Sequence, residues 1–249
     1  MCHSDESRPP GPPVEGVAAD RYDLTLTASD GASFMAYAAV PEEPTGRSVV
    51  ILPDVRGLHA FYKELAALFA EAGFRAIAID YFGRTADTGD RGESFDHMSH
   101  VEKLTAEAIA LDVRAAVDHL READGAGAIF TVGFCFGGAY SWRQSAEGHG
   151  LAGAIGFYGG RPLARVGPAI SRMRAPLLML LAGRDSTSPA EFADFAERVR
   201  AQGVEVEVHT YEGAPHSFFD RSYADHQEAC ADAWVRILDF TARLSTHPS

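Results

Sequence analysis

"TVGFCFGGAY", residues 131–140, decides how this chain is read. Its first residues continue the apolar run 128–130, and together 128–133 have the composition of a buried strand. Gly133, Cys135 and Gly137 then alternate with phenylalanines, and small residues open a helical segment over 136–147. A strand that turns at once into a helix is the repeating unit of a parallel sheet.

The flanking sequence repeats that unit. Upstream, 47–54 and 74–80 are short, almost wholly apolar runs, as expected of strands buried on both faces. Between them, 59–73 carries apolar residues at helical spacing and ends in glycine. A polar stretch, 83–98, leads to a helix over about 99–122. Downstream, 151–159, 176–183 and 204–213 read as strands, with helices at 189–203 and 222–244. Two alternating runs within 22–40, joined by Ser29, Asp30 and Gly31, read as a hairpin. The expectation is an α/β fold: a mostly parallel central sheet, an N-terminal antiparallel hairpin, and helices on both faces.

Composition narrows the function classes. The 249 residues carry a formal charge of -13, which argues against nucleic acid or an anionic membrane surface as partner. No apolar stretch is long enough to span a bilayer. The opening sixteen residues hold four prolines and lack the basic-then-apolar pattern of a secretory signal. Residues 1–20 therefore read as a flexible proline-rich arm, and 21–249 as a single domain. Cys2, Cys135 and Cys230 are far apart and odd in number, which fits neither a disulfide framework nor a zinc knuckle but does fit a reducing cytoplasm. Cys2 beside His3 on an extended arm does not make a metal site, and Cys230 reads as a packing residue in the last helix.

Cys135 raises the chemical question. Gly133-Phe134-Cys135-Phe136-Gly137 is the strained strand-to-helix turn G-x-S-x-G with cysteine in place of serine. A free cysteine is as often a small buried hydrophobe. What separates the two readings is whether an acid and then a histidine follow at strand ends, in that order. Asp185 follows the strand 176–183, and His216 follows the strand 204–213. Each alone has an ordinary alternative, a helix-terminal acid or a solvated loop histidine. Together they predict a triad: Cys135 as nucleophile, His216 as base, Asp185 orienting it. The N–H groups of Phe136 and, in the loop after the strand 47–52, Val55 are the candidate oxyanion donors.

With these residues in place, the chain resembles the dienelactone hydrolases (carboxymethylenebutenolidases) from about residue 20 to 245. The resemblance rests on "GFCFGG", "FYGG" (157–160), "LAGRDSTSP", "GAPHSFF" and "ACADAWVRILDF". It implies an α/β-hydrolase fold and a cysteine hydrolase acting on a small activated ester or enol-lactone, with no metal or organic cofactor. It also implies that Asp54 stands where the family has an acidic residue that pairs with the resting thiol. Asp54 is one methylene shorter than the family's usual glutamate, and pairing with Arg56 or capping the next helix is its alternative role. Arg84 falls on one of two family arginines that hold the substrate's carboxylate, unless it is a surface residue without a role. Asp220 occupies the position of the second, with Arg221 adjacent. The rival readings are an esterase for another small activated ester, with Arg84 only structural, and a non-catalytic thiol sensor. The oligomeric expectation is a monomer or small homo-oligomer.

Overall fold

The computed structural model describes residues 3–245, apart from Asp90, Asp124, Ala126 and Pro162. Cys2 lies outside the described residues, as do 246–249 of the expected domain.

One eight-stranded sheet organises the chain: β1 (Ala18–Thr27), β2 (Ser33–Pro41), β3 (Arg47–Leu52), β4 (Phe74–Ile79), β5 (Ala128–Phe134), β6 (Gly153–Phe157), β7 (Leu177–Arg184) and β8 (Val206–Pro215). Their spatial order is β1-β2-β4-β3-β5-β6-β7-β8. β2 pairs antiparallel with both β1 and β4, and every later pair is parallel. This is the expected mostly parallel sheet with an antiparallel start.

The central strands are apolar throughout because both faces are covered. In β7, Leu177, Met179 and Leu181 join a cluster with Trp142, Phe192 and Phe195, while Leu178 and Leu180 belong to the large core containing Trp234 and Phe240. Successive side chains of one strand thus feed opposite layers. Those layers are built from helices α1 (Ala60–Glu71), α2 (His97–Val101), α3 (Ala106–Arg121), α4 (Phe136–Gln144), α5 (Leu163–Val166), α6 (Pro189–Arg200) and α7 (Gln227–Ser245).

Two local readings change. The single helix expected over 99–122 is split into α2 and α3, because Thr105 adopts an extended conformation and caps α3 through the Ala108 N–H. The closing helix begins at Gln227 rather than 222, after a tight turn at 224–226.

The larger change is at the N-terminus: of the expected loose arm, residues 3–10 are docked and Ala18–Asp20 already belong to β1, while most of 11–17 is exposed. His3 is fully buried, Ser7 nearly so, and the Pro10 carbonyl accepts a 2.9 Å hydrogen bond from Trp234 Nε1. Composition disfavours regular structure here, but it says nothing about contacts to distant residues.

Candidate active site

The β5–α4 turn is set by glycine. A Cβ on Gly133 would lie 2.0 Å from the Gly137 carbonyl oxygen, and one on Gly137 would lie 2.1 Å from the Leu52 carbonyl oxygen. Only hydrogen fits at either position, so the helix can start directly against β3 and β5. Between them Cys135 takes φ 56°, ψ -114°, a conformation disfavoured for any residue with a Cβ. Its N–H donates to the Phe157 carbonyl at 3.0 Å and its carbonyl accepts from Gly138, which fixes the turn. The thiol is at the rim of the core, in a residue 8% exposed.

Asp185 and His216 come from the ends of β7 and β8, which pair in parallel and so deliver both to the same edge as Cys135. His216 Nδ1 lies 2.8 Å from Asp185 Oδ2. The other carboxylate oxygen accepts from Thr187 N–H and Ser186 Oγ, both at 3.3 Å. Burial pushes the Asp185 carboxyl up, but the hydrogen bond and charge of His216, with the backbone donors, more than offset it. The result is a carboxyl held below its ordinary pKa, ionised at neutral pH.

Cys135, His216 and Asp185 line one cavity of about 650 Å³, with Val55 and Phe136 on its wall. Phe136 is the first residue of α4, where an N–H has no partner one turn back. Val55 N–H donates to none of the described residues. The structure therefore brings together five of the seven residues singled out from the sequence.

The other two stand elsewhere. Asp54 points into the protein, away from the cavity wall: Oδ1 accepts from Arg56 N–H at 2.8 Å and Oδ2 from His3 N–H at 3.2 Å. No hydrogen bond joins it to Cys135 among the described residues. Arg84 is not on the cavity wall; its Nη2 lies 3.0 Å from Asp30 Oδ2 and 3.0 Å from Asp112 Oδ1. Arg221 pairs with Glu64 at 2.8 Å on the surface, and Asp220 receives Arg8 N–H. For both Asp54 and Arg84, a partner distant in sequence captures the charge.

Two cations that the sequence reading passed over do line the cavity. Arg161 and Arg165 follow β6, and neither has a carboxylate partner among the described residues. Nothing local marks them, since arginine is common on loops. The wall is completed by His97, Met98 and Val101 of the short α2. Among the described residues no group of three or more His, Cys, Asp or Glu is arranged to hold a metal, and no helix is long and apolar enough to cross a membrane.

Comparison with known proteins identifies the family. The profile of the dienelactone hydrolase family matches residues 34–245. The carboxymethylenebutenolidase of Pseudomonas putida is 27% identical over 240 residues, spanning 94% of this chain and 98% of that one. A Klebsiella pneumoniae protein assigned as a dienelactone hydrolase superposes with a TM-score of 0.74 at 25% identity, over 90% of this chain and 99% of its own. A dienelactone hydrolase-like promiscuous phosphotriesterase from metagenomic libraries shares the fold, with a TM-score of 0.73 at 23% identity over 90% of this chain and 98% of its own.

Proposed function

This chain belongs to the dienelactone hydrolase family, and we propose that it hydrolyses a small activated ester or enol-lactone through a thioester on Cys135. The observation that carries this reading is a cysteine on a strained turn facing the same cavity as a His216–Asp185 pair.

The chemistry follows from the placement. A carboxylate only accepts, so Asp185 keeps the proton of His216 on Nδ1 and makes Nε2 the basic nitrogen of the ring. His216 takes the Cys135 proton, and the thiolate attacks the acyl carbon. The tetrahedral oxyanion is held by the Phe136 and Val55 N–H groups. The acyl–oxygen bond then breaks, and the imidazolium returns its proton to the leaving oxygen. Water, deprotonated by His216, attacks the thioester; the acid departs and the thiol is restored. A thiolate is itself a good leaving group, so the first intermediate partitions forward more readily the better the protonated departing oxygen leaves. That favours an enolate or aryloxide over a simple alkoxide.

Arg161 and Arg165 are the cations available to a carboxylate on the substrate. Arg84 is held by Asp30 and Asp112 and acts structurally. The test compares hydrolysis of a carboxylated enol-lactone with that of an uncharged aryl acetate, using Cys135→Ala as the blank. Cys135-dependent turnover of the lactone supports the reading. Turnover of the aryl acetate alone makes this an esterase for neutral activated esters, and no Cys135-dependent turnover of either overturns hydrolysis.

A further inference from the structure

The N-terminal segment reaches the back of the proposed site. His3 stacks on Phe61, with ring centroids 3.8 Å apart and planes 12° from parallel. Its Nε2 lies 3.2 Å from the hydroxyl of Tyr158, whose ring packs on His216 with centroids 4.8 Å apart. Its N–H donates to Asp54, next to Val55, and its carbonyl accepts from Arg56 at 2.6 Å. His3 Nδ1 faces Asp220 Oδ2 at 3.8 Å, while Arg8 N–H donates to the other Asp220 oxygen at 3.1 Å. The Arg8 carbonyl accepts from Arg221 N–H.

Three segments at the proposed site, the loops bearing Val55 and His216 and the turn at Tyr158 between them, are thus tied to one short stretch of chain. Two of them are strained. Besides Cys135, the non-glycine residues with positive φ are Tyr158 at 37° and Ser217 at 68°, among the described residues. Tyr158 presses on the His216 ring, and Ser217 follows His216 directly. Such conformations persist only where surrounding contacts fix them. Here the hydroxyl of Tyr158 contacts His3, and Asp220, three residues beyond Ser217, is held by Arg8. The titratable and charged groups facing His3 are Asp54, Asp220, His59, Tyr62, Tyr158 and, at its carbonyl, Arg56. Burial holds its imidazole below the ordinary pKa against the pull of Asp220 and Asp54, so the ring is neutral at neutral pH.

We propose that His3 is a positioning residue for the hydrolytic site: docked residues 3–10 hold Tyr158 against His216 and fix the loops bearing Val55 and His216. The inference rests on the reading of Cys135 and His216 as nucleophile and base. Its role goes beyond anchoring the terminus, because the contact runs through Tyr158 to the imidazole itself.

The experiment reads His216 through the thiol it serves. The pH dependence of Cys135 alkylation by iodoacetamide is measured in a Cys2→Ser background, alongside kcat and KM for the aryl acetate. Cys230 contributes little, since burial pushes its thiol up to about 11. Variants are His3→Ala, His3→Gln and Tyr158→Phe, each checked for folding by circular dichroism and for arm docking by Trp234 emission. The expected result is a shifted alkylation profile and kcat lowered roughly tenfold or more at nearly constant KM for His3→Ala. His3→Gln, which keeps a polar partner for the Tyr158 hydroxyl, should recover most of the loss. Tyr158→Phe should reproduce it, with no further loss in the double variant. A folded His3→Ala with the parent's alkylation profile and kcat overturns the proposal. If His3→Ala does not fold, a parental profile in Tyr158→Phe overturns it instead. A protein that turns over no ester, yet shows the shifted profile, supports positioning while removing the hydrolytic reading.

Discussion

Asp185 Oδ2 and His216 Nδ1 are 2.8 Å apart, and they come from the ends of two adjacent parallel strands. Strand pairing sets their separation before any side chain is placed. Asp185→Asn keeps the size but offers the ring an amide that can also donate, so the wrong tautomer becomes available. We expect kcat to fall by about 10²–10⁴-fold with little change in fold. Steady-state kinetics alongside the thermal midpoint checks this; a loss below tenfold would remove Asp185 from the site.

Gly137→Ala tests the turn rather than the chemistry. The added methyl would stand 2.1 Å from the Leu52 carbonyl oxygen and 2.2 Å from that of Pro53, both backbone atoms. Neither can rotate away, so α4 must shift off β3. We expect a loss of about 3 kcal/mol or more in urea unfolding, with activity lost as well.

Arg84→Ala and Arg161→Ala should separate. Loss of Arg84 leaves Asp112 buried without its cation, so the thermal midpoint should drop while the ratio of carboxylated to neutral substrate stays fixed. Loss of Arg161 should leave the midpoint alone and lower kcat/KM for the carboxylated lactone by roughly tenfold or more, sparing the aryl acetate. The reverse pattern would return Arg84 to the substrate.

Asp112 also makes stability depend on pH in a window of its own. Burial pushes its carboxyl up to about 7, against the pull of Arg84 and with the push of Asp30 and Asp80. Between the ordinary aspartate value near 4 and about 7, the folded state binds the proton that the unfolded chain has released. Stability from this group therefore falls as pH rises through that window and stays lower above it. Asp185 acts with the opposite sign: its depressed carboxyl contributes above the ordinary value, and that contribution is lost as pH falls through the lower folded one. Asp112→Asn should flatten the slope of urea midpoints between pH 4 and 7 without touching the acid limb below it. An unchanged slope would show that Asp112 is ionised throughout.

The turn at Cys135 and the order of Asp185 and His216 were legible because each is a local motif at a strand end. The two-faced burial of β3, β4 and β5 was legible for the same reason: composition within six or seven residues carries it. Asp54 and Arg84 were legible as charges near the right strand ends but not as to where those charges are spent. His3 and Asp54 are 51 positions apart, and Arg84 is captured by Asp30 from the β1–β2 turn, 54 positions away. Arg161 and Arg165 carry no pattern at all; only the folded cavity sets them apart from the chain's other arginines.

The hydrogen bond from Trp234 to the Pro10 carbonyl spans 224 positions. During synthesis, residues 3–10 leave the ribosome long before Tyr158, Asp220 or Trp234 exist. That stretch thus has to wait for most of the 249 residues before it can be seated. Closing so long a loop is slow relative to the local strand–helix units. Seating of residues 3–10 is a step that a nascent chain stopped before α7 cannot complete in this form, however well its sheet has assembled.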